Sequence, residues 1–162
     1  MIGCDVAIIG GGLMGTWTAF FLRQRGCSVV VLDKGEVGAQ ASGVNFGNLR
    51  VQGRFAGQIP LALRAHALWQ QIETLIGEGC EYEQTGHIYI ALEEQQREKL
   101  EHNVEDALPF GLDVELLERA ELQRRWPFLS PRVIAASYSA SDATANPRLV
   151  TPAVARAAAG VT

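Results

Sequence analysis

A chain of 162 residues, 48% hydrophobic and 20% charged, is long enough to bury a substantial core. Its net charge of −4, with no basic stripe to oppose it, argues against nucleic acid as a partner. No apolar run approaches the ~18 residues of a membrane-crossing helix, and no basic leader precedes the first apolar run, so neither a transmembrane helix nor a signal peptide is expected and the expected compartment is the cytoplasm.

The chain opens on a βαβ unit. Cys4-Asp5-Val6-Ala7-Ile8-Ile9 is a short apolar run that reads as a buried parallel strand; it breaks at Gly10-Gly11-Gly12-Leu13-Met14-Gly15, passes into a helix running to about Gln24, and returns as Val29-Val30-Val31-Leu32-Asp33. Gly10 lets the chain turn off the strand, Gly12 lets backbone approach a pyrophosphate at a helix N-terminus, and Gly15 lets helix and strand pack closely. Asp33 falls eighteen residues after Gly15, near the spacing at which a carboxylate meets the adenosine ribose of a dinucleotide. An acid there favours a ribose without a 2′-phosphate. A lone glycine motif is weak evidence, but strand, helix and acid together identify a dinucleotide site.

Lys34 to Gly57 holds six glycines interleaved with Ser42, Asn45, Asn48, Arg50 and Arg54. Its Val44, Phe46, Leu49, Val51 and Phe55 argue against disorder, so this long loop is expected to wrap a ligand. Residues 59–76 predict one helix with a core stripe of Leu61, Ala65, Leu68, Ile72 and Leu75; Trp69 flanks it and His66 falls on the surface. His87 to Leu92 predicts a strand, Glu93 to Leu108 a charged helix burying Leu100, Val104, Ala107 and Leu108, Val114 to Leu117 a strand, Glu118 to Arg125 a helix, and Val133 to Tyr138 a strand. Asn146-Pro147 then starts a helix over Arg148 to Ala159, stopped by Gly160.

Cys4 and Cys27 are expected to be small buried hydrophobes, while Cys80 lies in a turn. His66, His87 and His102 are scattered, and neither they nor the cysteines have metal-ligand spacing, so no metal site is expected.

Several segments together carry a resemblance: GGGLMG, the DKG after the second strand, ASGVNFGNLRVQGR, IPLALRAHALW, TGHIYIA and SDATANPRLVTPAVARAA. In order, and over essentially the whole chain, they resemble the FAD-dependent amine and amino-acid oxidoreductases of the D-amino-acid oxidase superfamily, in the branch with glycine oxidase, sarcosine oxidase and the flavin subunits of opine and hydroxyproline dehydrogenases. The resemblance implies an α/β fold: a Rossmann-like FAD-binding domain with the beginning of an inserted mixed α+β substrate domain. Its expected segments are 1–85 for the FAD-binding domain, 86–140 for the start of the substrate domain and 141–162 for the return to the first.

The resemblance also implies roles. Gly10, Gly12, Leu13, Met14 and Gly15 would hold the FAD pyrophosphate, and Asp33, followed by Lys34, the adenosine ribose; the family more often carries Glu there. Ala41, Ser42, Asn45, Gly47, Asn48 and Leu49 would cross the phosphates and pass beside the flavin ring. Arg50 and Arg54 would be the catalytic pair, stabilising reduced flavin or pairing with a substrate carboxylate. The implied reaction is oxidation of the carbon–nitrogen bond of an amino acid or secondary amine by hydride transfer to FAD, with oxygen or a membrane-surface carrier as acceptor. The rivals are an NAD-dependent dehydrogenase and a non-catalytic cofactor-binding fragment. Relatives are more than twice as long, so the 162-residue chain alone is expected to be inactive and to associate with remaining polypeptide or as an oligomer. The loop from Gly35 to Arg54 has no histidine, so nothing in it suggests covalent flavin attachment.

Overall fold

A computed structural model describes residues 3–161. In chain order its elements are β1 (Val6–Ile9), α1 (Leu13–Arg23), β2 (Val29–Leu32), β3 (Asn48–Leu49), α2 (Ile59–Trp69), α3 (Ile72–Ile76), β4 (His87–Ala91), α4 (Glu94–Ala107), β5 (Val114–Glu118), α5 (Arg119–Arg125), β6 (Ala135–Ser139), β7 (Ala143–Thr144) and α6 (Pro147–Gly160). They divide into two units. The first comprises Met1–Gly47, Gln70–Tyr82 and Ala145–Thr162, the second Asn48–Trp69 and Glu83–Thr144.

In the first unit, β1 and β2 pair in parallel with Val6 opposite Val29 and Ile9 opposite Leu32. α1 connects them, and it also packs against α6. The helix buries Thr16, Ala19 and Phe20, while α6 buries Val150, Thr151, Ala153, Val154 and Ala158. The small residues of α6 let the two helices approach. β1 is shorter than the apolar run suggested and is not fully buried: Ile9 is 91% exposed. Cys4 precedes the strand and is exposed, Cys27 is half-buried, and the turn cysteine, Cys80, is the buried one. The expectation of buried Cys4 and Cys27 is thereby corrected, because both lie just ahead of the strands rather than within them.

The Asn-Pro start of α6 forms as expected. Asn146 Oδ1 accepts from Arg148 N at 3.0 Å, and the same side chain donates from Nδ2 to Glu81 Oε2 at 2.9 Å. Cys80 and Glu81 both take left-handed backbone (φ 52° and 53°), which turns the chain so that Cys80 O meets Asn146 N at 2.9 Å. Asn146→Ala therefore loses the cap together with this tether, and an equilibrium denaturation series should show a loss of about 1 kcal/mol or somewhat more. Unchanged stability would mean that the cap is redundant.

In the second unit, β4, β6 and β5 form an antiparallel sheet in that order, with Ser139 of the central strand opposite His87 on one side and Val114 on the other. Ala135, Ala136, Ser137 and Ser139 of β6 are all buried. Successive residues of a strand point to opposite faces, and here Ala135 joins Ala91 and Leu100 while Ala136 joins Leu117, Leu122 and Val133. Both faces of the strand are covered, which explains its run of small residues.

Residues 48–69, expected within the first segment, group with this unit instead. β3 pairs antiparallel with β7, and Val51 and Ile59 bury themselves with Ala107 and Leu112. The expected helix over 59–76 is two helices: the chain leaves helical geometry at Gln71 (φ −112°, ψ 17°) and restarts at Ile72. Its stripe is corrected as well. Leu61 is 74% exposed, whereas Ile59 and His66 are buried. In α4, Leu100 and Ala107 are buried as expected but Leu108 is 62% exposed.

Candidate functional site

The glycine turn is held by two side chains from later in the chain. Gly10 leaves β1 with φ 108°, a conformation glycine adopts without the steric cost other residues meet. A Cβ on Gly15 would lie 1.9 Å from Gly10 O, so that position admits no side chain at all. A helix N-terminus carries N–H groups with no partner inside the helix; Leu13 N donates to Ser42 Oγ at 2.9 Å, and just before the helix Gly11 N donates to Asp33 Oδ2 at 2.6 Å. A Cβ on Gly12 would approach Ser42 Oγ to 3.0 Å. Asn45 supports the serine segment by donating to Ala41 O and Ser42 O, and accepts from Gly47 N at 2.8 Å.

These contacts leave an open groove of about 480 Å³, lined by Ile9, Gly10, Gly12, Leu13, Met14, Gly15, Ala41, Ser42 and Asn45. Eight of the expected cofactor residues are thus brought together. Asp33 stands beside the turn, its Oδ1 also accepting from Gly35 N at 2.8 Å. The bonds from Gly11 and Gly35, aided by the charge of Lys34, hold its carboxyl below the usual aspartate range, so it remains an anion able to accept further hydrogen bonds. Lys34 is exposed. Gly47 is used differently: its backbone is left-handed (φ 70°) and a Cβ would lie 2.1 Å from Ala145 O, so it seats the loop just ahead of the α6 cap.

The remaining expected residues lie in the second unit. A cavity of about 90 Å³ is lined by Asn48, Leu49, Arg50, Val51, Arg54, Ala62, Ala65, His66 and Trp69. Arg50 donates from Nη1 to Gln52 O at 2.8 Å and to Gly53 O at 3.3 Å, and its guanidinium carbon stands 5.5 Å from the Tyr89 ring centroid. Arg54 donates from Nε to Arg50 O at 3.0 Å. A guanidinium has five N–H donors, so both side chains keep donors for a carboxylate or a reduced flavin.

His66 is not the surface residue its polar neighbours suggested. It is buried, and its Nε2–H donates to Ser141 O at 2.6 Å. Three further residues carry the site without having been singled out from sequence: Gly11, Gln52 and Asp142. Asp142 is fully buried; its Oδ1 accepts from Val51 N at 2.7 Å, and its Oδ2 has no partner among the described residues. Burial pushes its carboxyl above the usual aspartate range.

The turn, the helix N-terminus and the ionised acid fit a dinucleotide whose pyrophosphate meets the helix and whose ribose meets Asp33. Comparison with known proteins says which dinucleotide. The FAD dependent oxidoreductase family DAO matches residues 5–162, and the chain belongs to that family. FAD is accordingly the cofactor this fold serves. One of the two polypeptides of an opine oxidase from Rhizobium meliloti is 28% identical over 160 residues, covering 90% of this chain and 42% of that protein. N-methyl-L-tryptophan oxidase of Yersinia pestis (strain Pestoides F) is 29% identical over 127 residues, covering 76% of this chain and 33% of that one. Among solved structures, glycine oxidase from Bacillus cereus ATCC 14579 superposes with a TM-score of 0.86 at 30% identity, over 97% of this chain and 44% of that one. The chain thus spans less than half the length of each of these relatives. The α/β, Rossmann-like fold expected from the sequence is the one these structures share with it.

Proposed function

We infer that this chain serves an enzyme that oxidises the carbon–nitrogen bond of an amino acid or secondary amine, with FAD as the hydride acceptor. The observation that carries the reading is the groove in which the Gly10–Gly15 turn meets Ser42, with the Asp33 carboxylate beside it, in a chain of the DAO family. The relatives bear the names of an opine oxidase, an N-methyl-L-tryptophan oxidase and a glycine oxidase, and each of these substrates is an amino acid or a derivative of one.

In this reading the first unit is the FAD-binding part and the second is the start of the substrate part. Gly10, Gly12, Leu13, Met14 and Gly15 receive the pyrophosphate, Asp33 and Lys34 attend the adenosine ribose, and Ala41, Ser42, Asn45 and Gly47 shape the segment crossing the phosphates. Asn48 and Leu49 continue it toward the flavin, and Arg50 and Arg54 meet the substrate carboxylate or the reduced ring. Bound FAD supplies the redox chemistry. The chain's own contribution is orientation and fixed positive charge.

The test is anaerobic mixing of the protein, expressed from its complete gene, with a panel of amino acids and N-methyl amino acids. The expected result is loss of the visible flavin band with at least one of them. If no amine bleaches the flavin while a hydroxy acid or a polyol phosphate does, the carbon–nitrogen assignment is wrong.

A further inference from the structure

Gln52 is 2% exposed, yet every polar atom of its side chain is used. Its amide nitrogen donates to His87 O at 2.5 Å and to His87 Nδ1 at 3.1 Å, and its Oε1 accepts from Ser137 Oγ at 2.9 Å. The carbonyl of His87 can only accept, so the amide orientation is determined, and the His87 ring must then present a bare Nδ1 and carry its proton on Nε2. A protonated imidazole would set N–H against N–H. His87 faces Gln52, Tyr89, Arg50 and Asp142; burial and the Arg50 charge favour the neutral ring, and the Asp142 charge opposes them.

This buried network grips one short segment. Val51 N is held by Asp142 and the Gln52 side chain by His87 and Ser137, while the carbonyls of Arg50, Gln52 and Gly53 hold the two guanidinium groups. Gly53 makes the turn with φ 63°, and a Cβ there would come within 2.9 Å of the Tyr89 ring. That ring in turn lies edge-on to His87, with centroids 4.7 Å apart. A buried amide satisfied at every atom costs little to keep and much to disturb.

We propose that Gln52 is a positioning residue: through His87 and Ser137 it locks the main chain of residues 50–54, and so sets where the Arg50 and Arg54 guanidinium groups meet a substrate carboxylate. The inference rests on the reading of Arg50 as a site residue given above. Displacement of a binding group by about 1 Å can cost on the order of 100-fold in rate, so loosening this segment acts at a distance from the chemistry.

The experiment compares Gln52→Glu, Gln52→Leu and Arg50→Ala in the protein expressed from its complete gene, each measured for flavin content and for KM and kcat against pH with the amino acid that reduces the flavin. Arg50→Ala is expected to raise KM with flavin content intact. Gln52→Leu is expected to raise KM about tenfold or more at full flavin content. Gln52→Glu places a carboxylate against His87 Nδ1 and draws a proton onto it, so KM gains an inflection near neutral pH that the wild type lacks, lower on the acid side where the Nδ1–H to carboxylate bond re-forms. A rise in KM for Arg50→Ala with wild-type KM and a wild-type pH profile in Gln52→Glu overturns the positioning role alone, and that variant decides the matter even if Gln52→Leu fails to fold. Unchanged kinetics in Arg50→Ala overturns both this inference and the reading beneath it.

Discussion

Gly15→Ala is expected to yield a protein without FAD and with a markedly lower melting temperature. The added methyl carbon would lie 1.9 Å from Gly10 O and 3.3 Å from an Ile8 methyl, and the first of these is backbone that cannot rotate away. Either α1 lifts from β1 or the turn at Gly10 opens, and overpacking of this kind costs about 1–3 kcal/mol and sometimes more. Both escapes move the helix N-terminus that the pyrophosphate needs. Gly10 behaves differently: nothing lies within 4 Å of its hypothetical Cβ, and its constraint is the φ of 108°. Gly10→Ala should therefore cost conformational strain and retain more flavin than Gly15→Ala. Flavin absorbance per chain and a thermal melt measure both, and a Gly15→Ala protein with full flavin content would show that the close approach is not required.

Asp33→Ala is expected to lower FAD affinity at least about tenfold, because it removes the anion facing the ribose and also the acceptor for Gly11 N and Gly35 N. Asp33→Asn, which keeps one carbonyl oxygen, should fall between alanine and wild type. The carboxyl titrates lower in the folded chain than in the unfolded one, so its contribution is complete above the unfolded value, about pH 4, and is lost as pH falls through the folded value. FAD affinity should accordingly be level from about pH 5 to 8 and weaken only below about pH 4. A wild-type affinity in Asp33→Ala, or a loss of binding as pH rises through neutrality, would remove Asp33 from the site.

What was legible in the sequence was what local chemistry dictates. The strand, glycine turn and helix of residues 6–23 and the Asn146-Pro147 start of α6 announce themselves within a few residues, and both form as read. The break between α2 and α3 was hidden because the apolar spacing runs through it, and no glycine or proline marks Gln70 and Gln71. His66 was misplaced because its burial depends on Ser141 O, 75 residues away. Gln52 and Asp142 escaped for the same reason: their partners are Ser137 and Val51, 85 and 91 residues distant, and nothing in a glutamine's or an aspartate's neighbours says that it is to be buried. The role of Gly11 as donor to Asp33 was masked by the attention its neighbours draw, although the acid that needs it was already identified.

The central claim is that the turn, the serine segment and Asp33 form one nucleotide site and that its nucleotide is FAD. It is tested most directly by purifying the protein expressed from its complete gene, denaturing it, and identifying and counting the nucleotide released. The account predicts close to one FAD per chain in the wild type and almost none in Gly15→Ala. Release of NAD, or of no nucleotide from a folded wild-type protein that also fails to take up added FAD, would contradict it.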